Sequence, residues 1–172
     1  GELFNHRLIF TVTDLIKEID GIPSVVAYID DHSNEELVEA EIAFYAQDND
    51  GNVWYLGEYP EEYKDGQFVG APTWIAGKQD ARAGIKMPVD PQPGTDSISQ
   101  GFAPVPQWSD RGQVYRMGEE TCVPFECFEE VMIMDEFNLD EPGAIQLKYY
   151  APNIGQVRVG FRGNDIKPEI LE

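Results

Sequence analysis

The chain has 172 residues, enough to bury a core in a single domain without metals or many disulfides. Apolar residues at 42% and aromatic residues at 12% exclude global disorder. Twelve Lys and Arg face 32 Asp and Glu, a net charge of −20, which excludes nucleic acid as a partner and argues against adhesion to anionic lipid, because both need a basic face.

Residues 7–13 alternate apolar and polar with β-branched side chains, the pattern of a half-buried strand. Residues 15–19 could form a helical turn. However, Asp20-Gly21 follows at once, and 22–30 are rich in Val and Ile. Asp-Gly between two apolar runs is a hairpin signal, so the reading is strand, turn, strand. Residues 31–36 read as a polar loop and 37–47 as a long strand. Residues 48–52 carry turn chemistry, and 53–59 return as a strand.

Residues 66–118 are crowded with Gly and Pro, and helices cannot run through them. Short strands are expected at 67–69, 85–87, 97–102 and 113–117, with ordered loop lying over the sheet. Strands resume at 131–134, 145–151 and 156–161. No apolar run approaches the roughly 20 residues needed to cross a bilayer.

The stretch from Val25 to Gly51 returns in register as the stretch from Val131 to Gly155. Asp30 matches Asp135, Glu36 matches Glu141, Phe44 matches Tyr149, Tyr45 matches Tyr150 and Ala46 matches Ala151, all at an offset of 105 residues. One residue is then lost in a turn, so that Gly51 matches Gly155 and Val53 matches Val157. A repeat is one supersecondary unit used twice. The expectation is one all-β domain over residues 1–172. Its two related antiparallel units, about 8–59 and 128–161, form a strongly curved sheet, half-barrel or sandwich. The Gly/Pro-rich segment 66–118 packs on it.

Several collinear phrases carry a resemblance: Phe10-Thr11-Val12-Thr13-Asp14, Tyr45-Ala46-Gln47-Asp48, and Gly51-Asn52-Val53-Trp54-Tyr55-Leu56-Gly57-Glu58. Trp74-Ile75-Ala76-Gly77, Gly84-Ile85-Lys86-Met87 and Lys148-Tyr149-Tyr150-Ala151-Pro152 continue it. In that order they resemble a family of uncharacterised secreted bacterial proteins, lipoproteins among them. The resemblance implies an exported, mostly β protein and supplies no catalytic residue. The chain starts at Gly1 without Met, and Leu171-Glu172 resembles a cloning scar. The expectation is therefore an extracytoplasmic protein, periplasmic, lipoprotein-anchored or secreted, whose signal peptide has been removed.

Cys122 and Cys127 flank a Pro124 turn. A local disulfide and a pair of buried thiols are the two readings. The disulfide is the expectation, and it would imply an oxidising compartment.

Three functional readings compete. The leading one is a non-catalytic binding protein for a small apolar or amphipathic ligand, with Trp74, Met87, Phe102, Trp108 and Tyr115 lining a pocket under the middle segment. Packed core is the plainer reading of the same residues. The second is a cation-binding structural or surface protein: Asp30 and Glu36 with their repeats Asp135 and Glu141 could meet across a pseudo-twofold axis and hold Ca²⁺. Asp48, Asp50 and Asn52 also invite calcium, but their spacing does not fit an EF-hand and suits a hairpin turn.

The third is an enzyme using carboxylate acid–base pairs. No Gly-x-Ser-x-Gly elbow, His-Glu-x-x-His or phosphate-cradling loop is present, so the chain is expected not to be an enzyme. A polar cleft with strongly raised carboxylate pKa values would favour this third reading.

Overall fold

The computed structural model describes residues 4–139, 143–163 and 169–171. Every regular element among them is a strand: β1 (Phe4–Ile19), β2 (Ile22–Ser33), β3 (Glu36–Gln47), β4 (Val53–Lys64), β5 (Gln67–Gly70), β6 (Trp74–Ile75), β7 (Arg82–Met87), β8 (Ile98–Ser99), β9 (Gly101–Phe102), β10 (Asp110–Cys122), β11 (Cys127–Asn138), β12 (Ala144–Ala151), β13 (Gly155–Gly163) and β14 (Glu169–Leu171). They build two sheets. The larger has the order β14-β1-β2-β3-β4-β7-β9, with β5 and β6 also on β4; the smaller has the order β13-β12-β11-β10-β8. All pairings are antiparallel except β1 with β14. The all-β expectation holds, as two curved sheets that do not close into a barrel.

Each sheet contains one four-stranded meander. β1-β2-β3-β4 and β10-β11-β12-β13 agree in order and direction. β2 and β11 correspond end to end at the offset read from the repeat. The ladder of β3 with β4 slips between Phe44 and Tyr45, and that of β12 with β13 slips between Tyr149 and Tyr150, the matching residues. A bulge bends its strand and strengthens the local twist, so the two units curve at the same place.

Two-residue turns close the first hairpins. Asp20 and Gly21 both have positive φ, as do Asn34 and Glu35, and Asp65 and Gly66. That is the backbone of the turn that matches strand twist. The second of these corrects the loop expected at 31–36. β2 runs on to Ser33, and Asp31 is a strand residue paired with Leu8 and Glu39. The strand expected at 113–117 is likewise longer. It is the middle of β10, the first strand of the second meander, so the inserted segment ends before it.

Both faces of both sheets carry core. On the inner face of the larger sheet lie Ala27, Ile29, Ala43, Tyr55, Trp74, Ala81 and Ala103. Ile19, Phe44, Leu56 and Ala76 pack on its outer face. The smaller sheet offers Val114, Met132 and Met134 inward, joined by Met87 from β7, and Val131, Ile133 and Ala151 outward. The middle segment covers the inner core tightly. Gly101 lies beneath the stacked Trp74 and Trp108 rings, where a Cβ would come within 2.7 Å of Trp108 and 2.8 Å of Trp74.

Candidate functional site

A cleft of about 330 Å³ opens between the sheets. Period-two alternation fills it. Along β3, Leu37, Glu39, Glu41, Ala43 and Tyr45 share the inner face, and the last two are core while the glutamates reach the cavity. β2 sends in Ile29 and Asp31, β4 sends in Tyr55 and Glu58, and β7 sends in Lys86. From the smaller sheet come Glu136, Gln146 and Lys148. The repeat is visible in this lining: Asp31 corresponds to Glu136, Glu41 to Gln146 and Tyr45 to Tyr150.

One wall is aromatic. Tyr45 stacks on Tyr55 at 5.0 Å, and Trp108 meets the Tyr55 ring edge-on at 5.7 Å. Lys86 lies over the Tyr55 ring at 5.6 Å. Charged groups line the cleft as well. Glu136 accepts hydrogen bonds from Lys86 at 2.6 Å and Gln100 at 2.8 Å, with Lys148 at 3.9 Å. Burial pushes the Glu136 carboxyl up, but the charges of Lys86 and Lys148 outweigh it, and its pKa falls below the usual glutamate value. Glu136 is ionised and bridges the two sheets.

Three glutamates have no such counter-ion. Glu39, Glu41 and Glu58 are in no ion pair among the described residues. Burial, then the charges of Glu41 and Asp31, raise the Glu39 pKa to about 7. Burial and the charge of Glu41 raise Glu58 to about 8, and burial raises Glu41. Tyr55 Oη donates to Glu41 Oε1 at 2.7 Å and also lies in close contact with Glu58 Oε2. A phenol has one proton to give. It can satisfy only one of the two carboxylates fully, and burial with the mutual repulsion of Glu41 and Glu58 favours a proton kept on the pair near neutral pH. The Trp74 indole N–H faces Glu58 and opposes the rise of its pKa, yet it is buried without a hydrogen bond of good geometry.

The ligand-lining residues expected from sequence do not share this cleft. Only Trp108 lines it. Trp74 stacks on Trp108 at 4.7 Å as core, and Met87 packs on the inner core of the smaller sheet. Phe102 is exposed. Tyr115 follows inward-facing Val114 in β10 and therefore faces out, where Arg116 and Arg162 stack on its ring.

The expected calcium set is also dispersed. Asp30 and Asp135 each sit one position away from an inward acid, so alternation turns both to outer faces. Asp135 is held there by both nitrogens of the Arg162 fork, Nε at 2.8 Å. Glu36 is exposed at a hairpin end, and Glu141 lies outside the described residues. Among the described residues no group of three or more His, Cys, Asp or Glu has an arrangement suited to a metal ion. Asp48 is saturated as a turn acceptor: Oδ1 takes the backbone N–H groups of Asp50, Gly51 and Asn52, and Oδ2 takes the Asn52 amide and the Trp54 indole.

Cys122 and Cys127 are joined in a disulfide at the β10–β11 hairpin end. Glu39, Glu41 and Glu58 escaped the sequence reading. The available signal was Glu-x-Glu inside a strand whose opposite face, Val38 to Ala46, is wholly apolar. No helix among the described residues is long and apolar enough to cross a membrane. The chain matches no protein-family model, and neither a curated protein nor a solved structure matches it significantly.

Proposed function

We propose that this chain is a small-molecule binding protein and that the cleft between its two sheets is the binding site. The carrying observation is the cleft itself: about 330 Å³, lined both by aromatic rings and by charged and hydrogen-bonding groups. Its size suits a small metabolite, and its mixed lining suits an amphipathic one. The Cys122–Cys127 disulfide supports an oxidising, extracytoplasmic setting. The resemblance to secreted proteins points the same way.

Native mass spectrometry of protein purified without additives tests the reading, followed by NMR of the extracted molecule added back. The expected result is a retained small molecule whose return perturbs Tyr45, Tyr55 and the Trp108 indole. Perturbation confined to other faces overturns it.

A second reading, acid–base catalysis in the same cleft, is favoured by Glu58, whose pKa burial and the charge of Glu41 raise to about 8 beside the Tyr55 hydroxyl. A buried acid with a pKa near working pH is what general acid catalysis needs. It predicts turnover of the retained molecule by the wild type and none by Glu58→Gln. An unchanged molecule after prolonged incubation at pH 7 removes it.

A further inference from the structure

We propose that the cleft selects an organic cation: an ammonium group set among Glu39, Glu41 and Glu58, with its hydrocarbon part against Tyr45, Tyr55 and Trp108. This rests on the cleft being the binding site and names the chemistry of what it takes.

Four observations converge. First, the two lysines in the cleft are already engaged. Lys86 and Lys148 both pair with Glu136; Glu41 feels both lysines and Glu39 feels Lys148 only at longer range, and none of the three glutamates is in an ion pair among the described residues. Second, Tyr45, Tyr55 and Trp108 line the cleft beside them, and aromatic rings attract a cation. Lys86 over Tyr55 shows that this lining already accepts one. Third, the buried Trp74 N–H faces Glu58 but makes no hydrogen bond of good geometry to it. An arriving cation would draw the proton off Glu58, and the resulting carboxylate would then accept the Trp74 N–H. Fourth, the carboxyl groups of the cleft are costly to ionise, because each meets low polarity and its neighbours' negative charges. A bound cation removes both penalties at once. The charges facing this group from the other elements are Asp31 on β2, Asp110 on β10, and the Lys86–Glu136–Lys148 set. Asp31 is shared with His6 at 2.8 Å. The Lys86–Glu136–Lys148 set carries one net positive charge that also acts on Glu41, but neither lysine forms an ion pair with Glu39, Glu41 or Glu58.

Displacement of the retained proton gives the test a signature that ordinary apolar binding lacks. Three probes with one skeleton separate the outcomes: 3-phenylpropylamine as cation, 3-phenylpropanol as neutral and 3-phenylpropionate as anion. Each is titrated by calorimetry at pH 7 in two buffers of different ionisation enthalpy, with NMR to locate the bound ring.

The amine should bind at Tyr45, Tyr55 and Trp108, roughly tenfold tighter than the alcohol, with the carboxylate weakest. It should also release up to about one proton per molecule bound, while the alcohol releases none. Glu58→Gln should reduce the proton release and shrink the preference, and Glu120→Gln, exposed and outside the cleft, should change neither. Should Glu58→Gln fail to fold, the buffer comparison on the wild type decides alone. The cation reading falls, with the cleft reading intact, if the alcohol or the carboxylate binds the cleft as tightly as the amine, or if the amine binds without proton release. Absence of any probe from the cleft overturns both.

Discussion

The glutamates of the cleft make a statement about stability as well as binding. Glu39 and Glu58 hold their protons up to about pH 7 and 8, where a glutamate in the unfolded chain lets go near 4.5. Between those limits the native protein binds more protons than the unfolded chain, so stability falls as pH rises through that window. Above it the full penalty of the buried charges remains. We expect the unfolding free energy from urea titration to be lower at pH 8.5 than at pH 5, by roughly a few kcal/mol once partial exposure is discounted. Glu58→Gln should flatten part of that slope. A wild type equally stable at both pH values would contradict it.

Asp48 has the opposite sign. The Trp54 and Asn52 hydrogen bonds depress its pKa from 3.8 to about 2. Its contribution is therefore present above pH 3.8 and lost as pH falls through about 2. Asp48→Ala should lower Tm at pH 7 and remove the acid-side loss over that range.

Such residues were hidden in the sequence for a definite reason. A strand with one apolar face and one acidic face reads as half-solvated, which would send Glu39 and Glu41 to water. Here a second sheet covers the acidic face. Asp30 and Asp135 were singled out because they match across the repeat. Their neighbours Asp31 and Glu136 match equally well, and alternation turns those two inward.

At the scale of elements, the repeat was legible and so was the sheet. Two meanders of the same order follow from it, and even the bulge recurs at matching residues. The Gly/Pro-rich segment was legible as strand-poor cover but not in its packing, because glycine spacing does not say what approaches the backbone. Gly84 in β7 shows the point. A Cβ there would lie 2.2 Å from Gly101 N and 2.3 Å from Gln100 C, both backbone atoms that cannot swing aside. Gly84→Ala must push β7 and β9 apart, and a cost of about 2–3 kcal/mol is expected in denaturant unfolding. Gly94 in the same segment has open space around it. Its positive φ alone makes Gly94→Ala cost about 1 kcal/mol. Equal losses in the two variants would mean that the close approach of β7 to β9 is not tight in solution. The strand expected at 113–117 grew into β10 for a related reason. Pairing along β11 and the disulfide at its end hold a sequence whose own strand pattern is weak.

At the scale of the whole molecule, two electrostatic effects differ in their response to salt. A net charge of −20 on 172 residues repels itself across the surface, and ions screen that repulsion over roughly 10 Å at 0.1 M. The Lys86–Glu136 pair joins the two sheets from within, with side chains 18% and 8% exposed, where screening is weak. Raising NaCl from about 0.02 to 0.5 M should therefore raise Tm in the wild type, at roughly 2–4 °C per kcal/mol of relieved repulsion. Glu136→Gln should cost about 3 kcal/mol or more, because it strands Lys86 and loosens Lys148 in a largely buried site. Added salt should restore the surface term in that variant but not the buried one. The two melting curves should then climb with salt in parallel and never meet. Convergence of the curves at high salt would show that the bridge between the sheets is open to water, and that the cleft it frames is a surface groove.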